Sequence, residues 1–113
     1  MAQSLSRAAR AVSAALALAP GSAPAAGPAA AKVYTVTIRD MAFGPLPKTL
    51  KVGDAIEWVN ADLFRHSATA RDNSFDVELN PRGRARTALK KAGQISFYCR
   101  FHPGMTGRLS VAK

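Results

Sequence analysis

The chain has few residues from which a metal centre or a covalent cross-link can be built. Among its 113 residues there are one cysteine, two histidines and three methionines. One cysteine cannot form an internal disulfide, and two histidines cannot supply several separate metal centres. No stretch reaches the roughly 18 consecutive apolar residues of a membrane span, so we expect no stable membrane insertion. Any metal chemistry must come from one small set of donors.

Acidic residues are also scarce, since 7 Asp and Glu stand against 16 Lys and Arg, a formal net charge of +9. The only charged residues before Lys32 are Arg7 and Arg10. The 82 residues from Lys32 onward therefore carry 14 basic and 7 acidic side chains, a formal charge of +7. Because the basic residues are dispersed and no helical or zinc-finger motif accompanies them, nucleic acid is not an expected partner. Electrostatic steering toward an acidic protein is favoured.

Residues 1–31 have the composition of a targeting segment. Two arginines precede an alanine-rich apolar run at 11–19, and a Pro/Gly/Ala stretch follows at 20–31. A basic start, a short apolar run and small residues near a cleavage point are typical of an export signal. We therefore predict that 1–31 is a cleaved export signal and low-complexity leader, and that the protein reaches a bacterial periplasm. An organelle transit peptide and a disordered leader without an address are the alternatives.

The remaining chain, 32–113, alternates apolar and polar residues with the period of β-strands. Turn signals rich in Gly, Pro, Asn and Ser separate the predicted strands, which cover residues 33–38, 49–52, 55–60, 67–70, 75–79, 84–90, 94–99 and 107–112. No convincing amphipathic helix, internal repeat or second domain accompanies them. Seven or eight short strands at this spacing predict an all-β domain, a β-sandwich with Greek-key connections.

One short segment carries most of the metal-binding chemistry, because Cys99, His102 and Met105 fall between two predicted strands. His66, just before the strand at 67–70, is the only other histidine. Soft sulfur ligands together with two imidazoles select copper, and a His₂Cys set with a weak axial Met is typical of a blue-copper electron-transfer site. Zinc with the same ligands is chemically possible, but the axial thioether argues against it.

These residues resemble those of the small cupredoxins, and within them the amicyanin-like and plastocyanin-related proteins, over residues 34–111. The likeness lies in Met41-Ala42-Phe43 with Pro45, Val52-Gly53-Asp54, Trp58-Val59-Asn60 with Asp62, His66, and the segment from Cys99 to Met105 with Gly107. Amicyanin-like proteins keep two residues between the ligand Cys and His and two between that His and Met, as here. The resemblance implies a cupredoxin-like sandwich that transfers one electron at a time, with type 1 copper bound by His66, Cys99, His102 and Met105.

Ser67 departs from the family pattern, in which many members have Asn directly after the first ligand histidine and so tie the two ligand loops together. A hydroxyl can make only part of that hydrogen bond, and its effect on the reduction potential stays open. We expect Asn60 and Asp62 to be turn formers that shape the approach to His66, with a hydrogen bond to that ligand as the alternative. Trp58 is predicted to be a packing residue rather than a redox relay.

The resemblance also implies how partners dock. The edge of His102 would be the port through which electrons leave, inside an apolar rim of Phe101, Pro103 and Met105. We expect three arginines to ring that rim, namely Arg65, Arg100 and Arg108. The predicted partners are acidic or electroneutral redox proteins of the cytochrome or dehydrogenase type, with salt-dependent association.

Three classes of function compete for such a chain. A copper-delivery protein should carry exposed Met-rich or His-rich tracts, and the sequence has none. A copper enzyme needs additional histidines for a second kind of copper centre, and both histidines are already assigned. The sequence therefore predicts a monomeric one-electron carrier that is not an enzyme, with periplasmic copper binding or delivery as the alternative.

Overall fold

The computed structural model describes residues 32–113, so the predicted leader at 1–31 and its cleavage lie outside the described residues. This part of the chain is all β and forms nine strands: β1 (Val33–Arg39), β2 (Ala42–Phe43), β3 (Leu50–Lys51), β4 (Ala55–Asn60), β5 (His66–Ala70), β6 (Asp76–Leu79), β7 (Arg84–Ala88), β8 (Gly93–Tyr98) and β9 (Thr106–Ala112). Over residues 32–113, no helix of the length and apolarity that a membrane crossing requires is present.

The strands form two sheets, one with the order β2-β1-β4-β7 and the other with the order β3-β9-β8-β5-β6. β1 and β4 pair in parallel, although β2 and β3 separate them in the chain, so the connections pass back and forth between the sheets. The predicted all-β sandwich is thereby confirmed. The prediction of seven or eight strands omits only the two-residue strand β2.

Alternation along the strands places one apolar face of each sheet in the core. Trp58 from β4 and Phe97 from β8 are fully buried, and their ring centroids lie 5.3 Å apart. The partly buried Phe43 packs edge-on against both rings, at 5.8 Å and 4.7 Å. The indole of Trp58 donates a hydrogen bond to the Thr87 hydroxyl at 3.1 Å, so its polar atom is satisfied. Trp58 is thus a packing residue, as predicted.

Gly107 is a half-buried strand position that no larger residue can fill without a shift. It pairs with Phe97 across β8 and β9, and the Phe97 ring occupies the space that a Cβ at position 107 would need. A glycine inside a strand often marks such a close approach. The ring of Phe97 therefore packs closely against the backbone of β9 at position 107.

A tight turn of two non-glycine residues joins β1 to β2. Asp40 and Met41 have φ angles of 53° and 61°, in the left-handed region. Positive φ at both central residues is the requirement of a type I′ hairpin turn, which usually contains Asn or Gly. This turn folds residues 42–43 back onto β1 as β2, the strand that the sequence did not predict.

Candidate metal centre

Three of the four predicted ligands lie at or beside strand ends at one edge of the sandwich, and His102 lies in the loop between two of them. Cys99 directly follows β8, and Met105 directly precedes β9. His66 is the first residue of β5, the neighbour of β8, rather than a loop residue before a strand as predicted. His66 and Cys99 are fully buried, and Met105 is 6% exposed. Strand order therefore brings sulfur and imidazole donors from distant parts of the sequence to the same place.

The segment between the two sulfur residues is a short loop closed by its own backbone. The Cys99 amide donates to the Met105 carbonyl at 3.0 Å, the Met105 amide donates to the His102 carbonyl at 2.8 Å, and the His102 amide donates to the Cys99 carbonyl at 3.3 Å. Pro103 has no amide hydrogen to satisfy and fixes its own φ. The loop thus holds Cys99 and Met105 opposite each other and places half-buried His102 between them.

The Cys99 sulfur and the Nδ1 atom of His66 lie 3.7 Å apart. Nitrogen and sulfur donors that lie about 2.0 to 2.3 Å from one ion at a trigonal angle are separated by about 3.7 Å. The His102 ring contacts the His66 ring edge-on, with centroids 5.1 Å apart. Within residues 32–113, no three His, Cys, Asp or Glu side chains stand together in metal-binding geometry, so the assignment depends on the kinds of donor and on the contact between Cys99 and His66. The donor chemistry of a thiol, two imidazoles and a thioether nevertheless fits copper.

Asp62 orients the His66 ring. Its Oδ2 atom lies 2.8 Å from Nε2 of His66. Because a carboxylate only accepts hydrogen bonds, the Nε2 atom of His66 carries a proton, and Nδ1 is the ring nitrogen that faces the Cys99 sulfur. Metal-binding histidines commonly donate their second nitrogen to a carboxylate in this way. Asp62 therefore contacts a candidate ligand directly and is more than the turn former that we expected first.

The turn between β1 and β2 binds the Asp62 carboxylate through two backbone amides. The Asp40 amide donates to Oδ1 at 2.8 Å, and the Met41 amide donates to Oδ2 at 2.9 Å. Partial burial by itself raises the pKa of Asp62, but the Met41 amide, the His66 ring and the Asp40 amide together outweigh it and hold this pKa below its ordinary value. Asp62 is thus a carboxylate at neutral pH and an acceptor for His66.

Asn60 organises the connection that leads to His66, as the turn-former prediction required. Its side-chain oxygen accepts from the Asp62 amide at 2.9 Å, and its side-chain NH₂ group donates to the Phe64 carbonyl at 2.7 Å. The same group reaches the carbonyls of Leu79 and Asn80 at the end of β6. Because Asn60 is buried, these bonds also satisfy all its polar atoms.

Ser67 ties the two ligand-bearing segments together. Its amide donates to the Cys99 sulfur at 3.3 Å, and its hydroxyl accepts from the Arg100 amide at 2.8 Å. The hydroxyl therefore makes one bond between the two ligand-bearing segments. This bond is the partial replacement for Asn that the sequence suggested. Ser67 is fully buried, so neither bond competes with water.

The surface beside His102 is apolar, but its composition differs from the predicted rim. Phe101 and Pro103 are exposed as predicted, whereas Met105 is buried and is not part of the rim. Leu63 and Phe64, which sequence reasoning missed, are 70% and 58% exposed. The Phe64 ring stands edge-on to the His102 ring, with centroids 6.3 Å apart.

The three arginines expected around this rim have different surroundings. The guanidinium groups of Arg65 and Arg100 lie 5.6 Å and 5.5 Å from the centre of the Phe101 ring. Arg100 is also bound to the carboxylates of Asp76 and Glu78. Arg108, on β9, instead lines a groove with Arg71 on the outer face of the five-stranded sheet.

No protein-family model matches the chain, but individual proteins and solved structures are similar to it. Methylamine utilization protein MauL of Methylorubrum extorquens is 35% identical over 89 residues, which cover 75% of this chain and 78% of the relative. Amicyanin of Paracoccus versutus is 26% identical over 93 residues, which cover 77% of this chain and 70% of the relative. The solved structure of an amicyanin variant in its Cu(I) form aligns with a TM-score of 0.61 and 20% identity, over 70% of this chain and 81% of that one.

Proposed function

The chain belongs to the amicyanin-like cupredoxins, and on that premise we propose which of its residues hold the copper. The protein is a blue copper electron carrier with one type 1 copper as its cofactor. When bound, the copper supplies a one-electron Cu(I)/Cu(II) couple. The proposed ligands are His66, Cys99, His102 and Met105.

The 3.7 Å approach of the Cys99 sulfur to Nδ1 of His66 carries this assignment. The two atoms meet at buried strand ends, where the surrounding sheet fixes both backbones. Their surroundings suit a thiolate and a neutral imidazole, because the Ser67 amide donates to the sulfur and Asp62 holds the imidazole proton on Nε2. His102 and Met105 complete the set from the loop that begins at Cys99.

Adding copper(II) to the purified protein tests the ligand assignment. We expect an intense thiolate-to-copper charge-transfer band in the visible spectrum and a narrow copper hyperfine splitting in the EPR spectrum. Cys99→Ser should abolish the band, and His66→Ala should abolish the narrow splitting. A colourless wild-type protein, or one with only an ordinary tetragonal copper signal, would contradict the assignment.

The same protein tests the role as an electron carrier. We expect reversible reduction and reoxidation of the bound copper without turnover of a substrate, since both histidines are assigned to a single centre. The copper-delivery alternative is not favoured by the relatives. It would regain support if the protein transferred its copper rapidly to an apo acceptor and did not cycle reversibly.

The proposed docking surface is the apolar rim formed by Leu63, Phe64, Phe101 and Pro103 around His102. The partner is an acidic redox protein of the cytochrome or dehydrogenase type, because residues 32–113 carry a formal charge of +7. Electrostatic steering weakens as salt shortens the Debye length. The rate of association with such a partner, followed by stopped-flow absorption, should fall as ionic strength rises. An unchanged rate would contradict steering.

We propose that the carrier works as a monomer in the bacterial periplasm after loss of residues 1–31. The basic, alanine-rich composition of that segment supports export. Mass spectrometry of the protein recovered from the periplasm of an expressing bacterium should give a chain that begins near Lys32, and analytical ultracentrifugation should give the monomer mass. An uncleaved chain in the cytoplasmic fraction would contradict export.

A further inference from the structure

A closed ring of hydrogen bonds lies beside the candidate ligand Cys99. It is built from residues of β5, β6 and the loop that begins at Cys99. Ser67 accepts from the Arg100 amide at 2.8 Å, and its hydroxyl lies 2.9 Å from that of Thr69. Thr69 bonds to the Asp76 carboxylate at 2.8 Å. The Arg100 side chain closes the ring, because its Nε atom lies 3.2 Å from the same carboxylate oxygen and 3.3 Å from the Thr69 hydroxyl.

Only one arrangement of protons satisfies this ring. The Asp76 carboxylate can only accept, so the Thr69 hydroxyl donates to it. The Thr69 oxygen then accepts from the Ser67 hydroxyl, and the Ser67 oxygen accepts from the Arg100 amide. Because every hydroxyl hydrogen is used, the ring has a fixed direction that begins at the Arg100 backbone and ends at the carboxylate that binds the Arg100 side chain.

The register of the sheet explains why these side chains meet. β5 pairs with β6 so that Ser67 lies opposite Glu78 and Thr69 lies opposite Asp76. Residues two apart on a strand share a face, so both hydroxyls and both carboxylates point the same way. Arg100 binds the two carboxylates with different nitrogens. Its Nε atom contacts Asp76, and one terminal nitrogen donates to Glu78 at 3.1 Å.

The ring is attached to the sulfur at two points. Arg100 directly follows Cys99 in the chain, so the bond from the Arg100 amide to Ser67 fixes the backbone on which the sulfur is carried. Ser67 also donates its own amide to that sulfur at 3.3 Å. Ser67 is fully buried and Thr69 is 7% exposed, so water competes little for the bond between their hydroxyls, whereas the contact between Arg100 and Asp76 that closes the ring is open to solvent. A displacement of the Ser67 or Arg100 backbone would therefore alter the hydrogen bond to sulfur.

We propose that Arg100, through this ring with Ser67, Thr69 and Asp76, is a positioning residue that sets the reduction potential. The inference rests on the proposed function, in which Cys99 is the copper thiolate. An amide donated to the sulfur favours the form in which the sulfur bears more negative charge, which is the Cu(I) form. Loosening the ring weakens this amide bond and lowers the potential, and hydrogen bonding around the Cys sulfur is known to tune such sites.

Two variants distinguish an effect of the hydrogen-bond ring from an effect of the positive charge of Arg100. Arg100→Lys keeps the positive charge but loses the planar fork that reaches Asp76, Thr69 and Glu78 together. Ser67→Ala opens the ring without changing any charge and leaves the backbone amide at position 67 in place. A matched control is Glu57→Gln, which breaks a comparable pair of ion contacts, to Arg84 and Arg86, on the other sheet.

The potential of each copper-loaded protein is measured by redox titration of the blue band. We expect both ring variants to lower the ratio of reduced to oxidised protein at a fixed ambient potential by about two- to tenfold, the range set by one hydrogen bond of ordinary net strength. A tenfold change corresponds to about 59 mV for a one-electron couple. Glu57→Gln should leave the potential unchanged.

Amide hydrogen exchange in the copper-free proteins gives a second readout. The Arg100 amide should exchange about tenfold faster or more in Ser67→Ala, which has lost the acceptor, and faster also in Arg100→Lys, but at the wild-type rate in Glu57→Gln. Faster exchange with an unchanged potential would mean that the ring only stabilises the fold, and this would overturn the proposal. An unchanged potential in Arg100→Lys, with a shift in Ser67→Ala alone, would also overturn the role of the guanidinium. A wild-type protein without the blue band would instead contradict the proposed ligand set itself.

Discussion

The two histidines of the candidate centre have contrasting surroundings. His66 opens a β-strand, is fully buried and binds Asp62 through Nε2. His102 lies in a loop and is only half-buried, and within residues 32–113 its ring makes no hydrogen bond. The aromatic rings beside it are those of Phe64 and His66. One imidazole is therefore fixed by the fold, and the other is presented to the surface.

This difference separates two requirements of an electron carrier. The donor at the buried side must keep its place when the oxidation state changes, and a strand end with a bound carboxylate provides that restraint. The donor at the surface must approach a partner, and loops on a rigid scaffold are where such residues usually lie. The contrast predicts that perturbations at the two histidines differ in kind and can be compared directly.

The largest effect should come from removing one imidazole at a time. With copper(II) present, both His66→Gly and His102→Gly should lose the blue band. Added imidazole should restore the band in His102→Gly, because the half-buried site can be reached from solvent. It should not restore the band in His66→Gly, where the side chain is 0% exposed and the space lies inside the sheet. Visible absorption during titration with imidazole measures both.

Equal rescue of the two variants would break the comparison, since the buried site would then be as accessible as the exposed one. Circular dichroism of each variant checks that the sandwich is intact before imidazole is added.

Removing the Asp62 carboxylate that binds His66 should have the next largest effect. Asp62→Ala eliminates the acceptor for Nε2, and loss of a carboxylate that orients a metal-binding histidine typically costs 10- to 100-fold in metal affinity. A competition titration with a copper chelator measures the loss. The remote variant Asp72→Ala is the control and should bind copper as the wild type does. Unchanged affinity in Asp62→Ala would mean that strand β5 alone fixes His66.

Gly107→Ala tests the packing below the centre rather than the centre itself. The new Cβ collides with the Phe97 ring, and such overpacking typically lowers the free energy of unfolding by about 1 to 3 kcal/mol. Denaturant unfolding of the copper-free protein measures it. A matched change is Gly104→Ala, since a Cβ at position 104 meets nothing within 4 Å. Equal destabilisation of both variants would contradict the packing explanation.

The smallest effect should lie far from the centre, at Asp72. The hydroxyl and amide of Ser74 and the ammonium of Lys91 lower the pKa of Asp72 from 3.8 to about 2. Because this pKa is lower in the folded chain than in the unfolded chain, its stabilisation is complete above about pH 4 and is lost as the pH falls toward 2. The difference in unfolding free energy between wild type and Asp72→Asn should therefore shrink between about pH 4 and pH 2. Urea unfolding across this range measures it, and a constant difference would contradict the linkage.

Most of the fold and the candidate donors were predictable because their signals are local. Period-two alternation identifies the strands, and the spacing of Cys99, His102 and Met105 identifies a loop that can offer three donors to one ion. The turn at Asp40 and Met41 was not predictable, because neither residue is a glycine or an asparagine. Its left-handed conformation depends on a carboxylate 21 and 22 residues away.

The supports of the donors were harder to predict than the donors themselves. An acid four residues before a candidate ligand was the one available signal for Asp62, but spacing in a loop does not fix direction as it does in a helix. The ring around Arg100 depends on the register of β5 against β6, and the sequence does not determine which residues face each other. The exposed Leu63 and Phe64 were missed because loop residues have no periodicity from which to infer exposure.

The turn at Asp40 and Met41 also has a consequence for the order of folding. Left-handed conformations cost about 1 to 2 kcal/mol for residues with a Cβ, so this hairpin is a poor place for folding to start. The amides of the turn gain their acceptor only when the connection after β4 has come alongside. We therefore expect substitutions in this turn to change the unfolding rate much more than the folding rate. The apolar core would then form first, and the corner that holds the Asp62 carboxylate against His66 would close late.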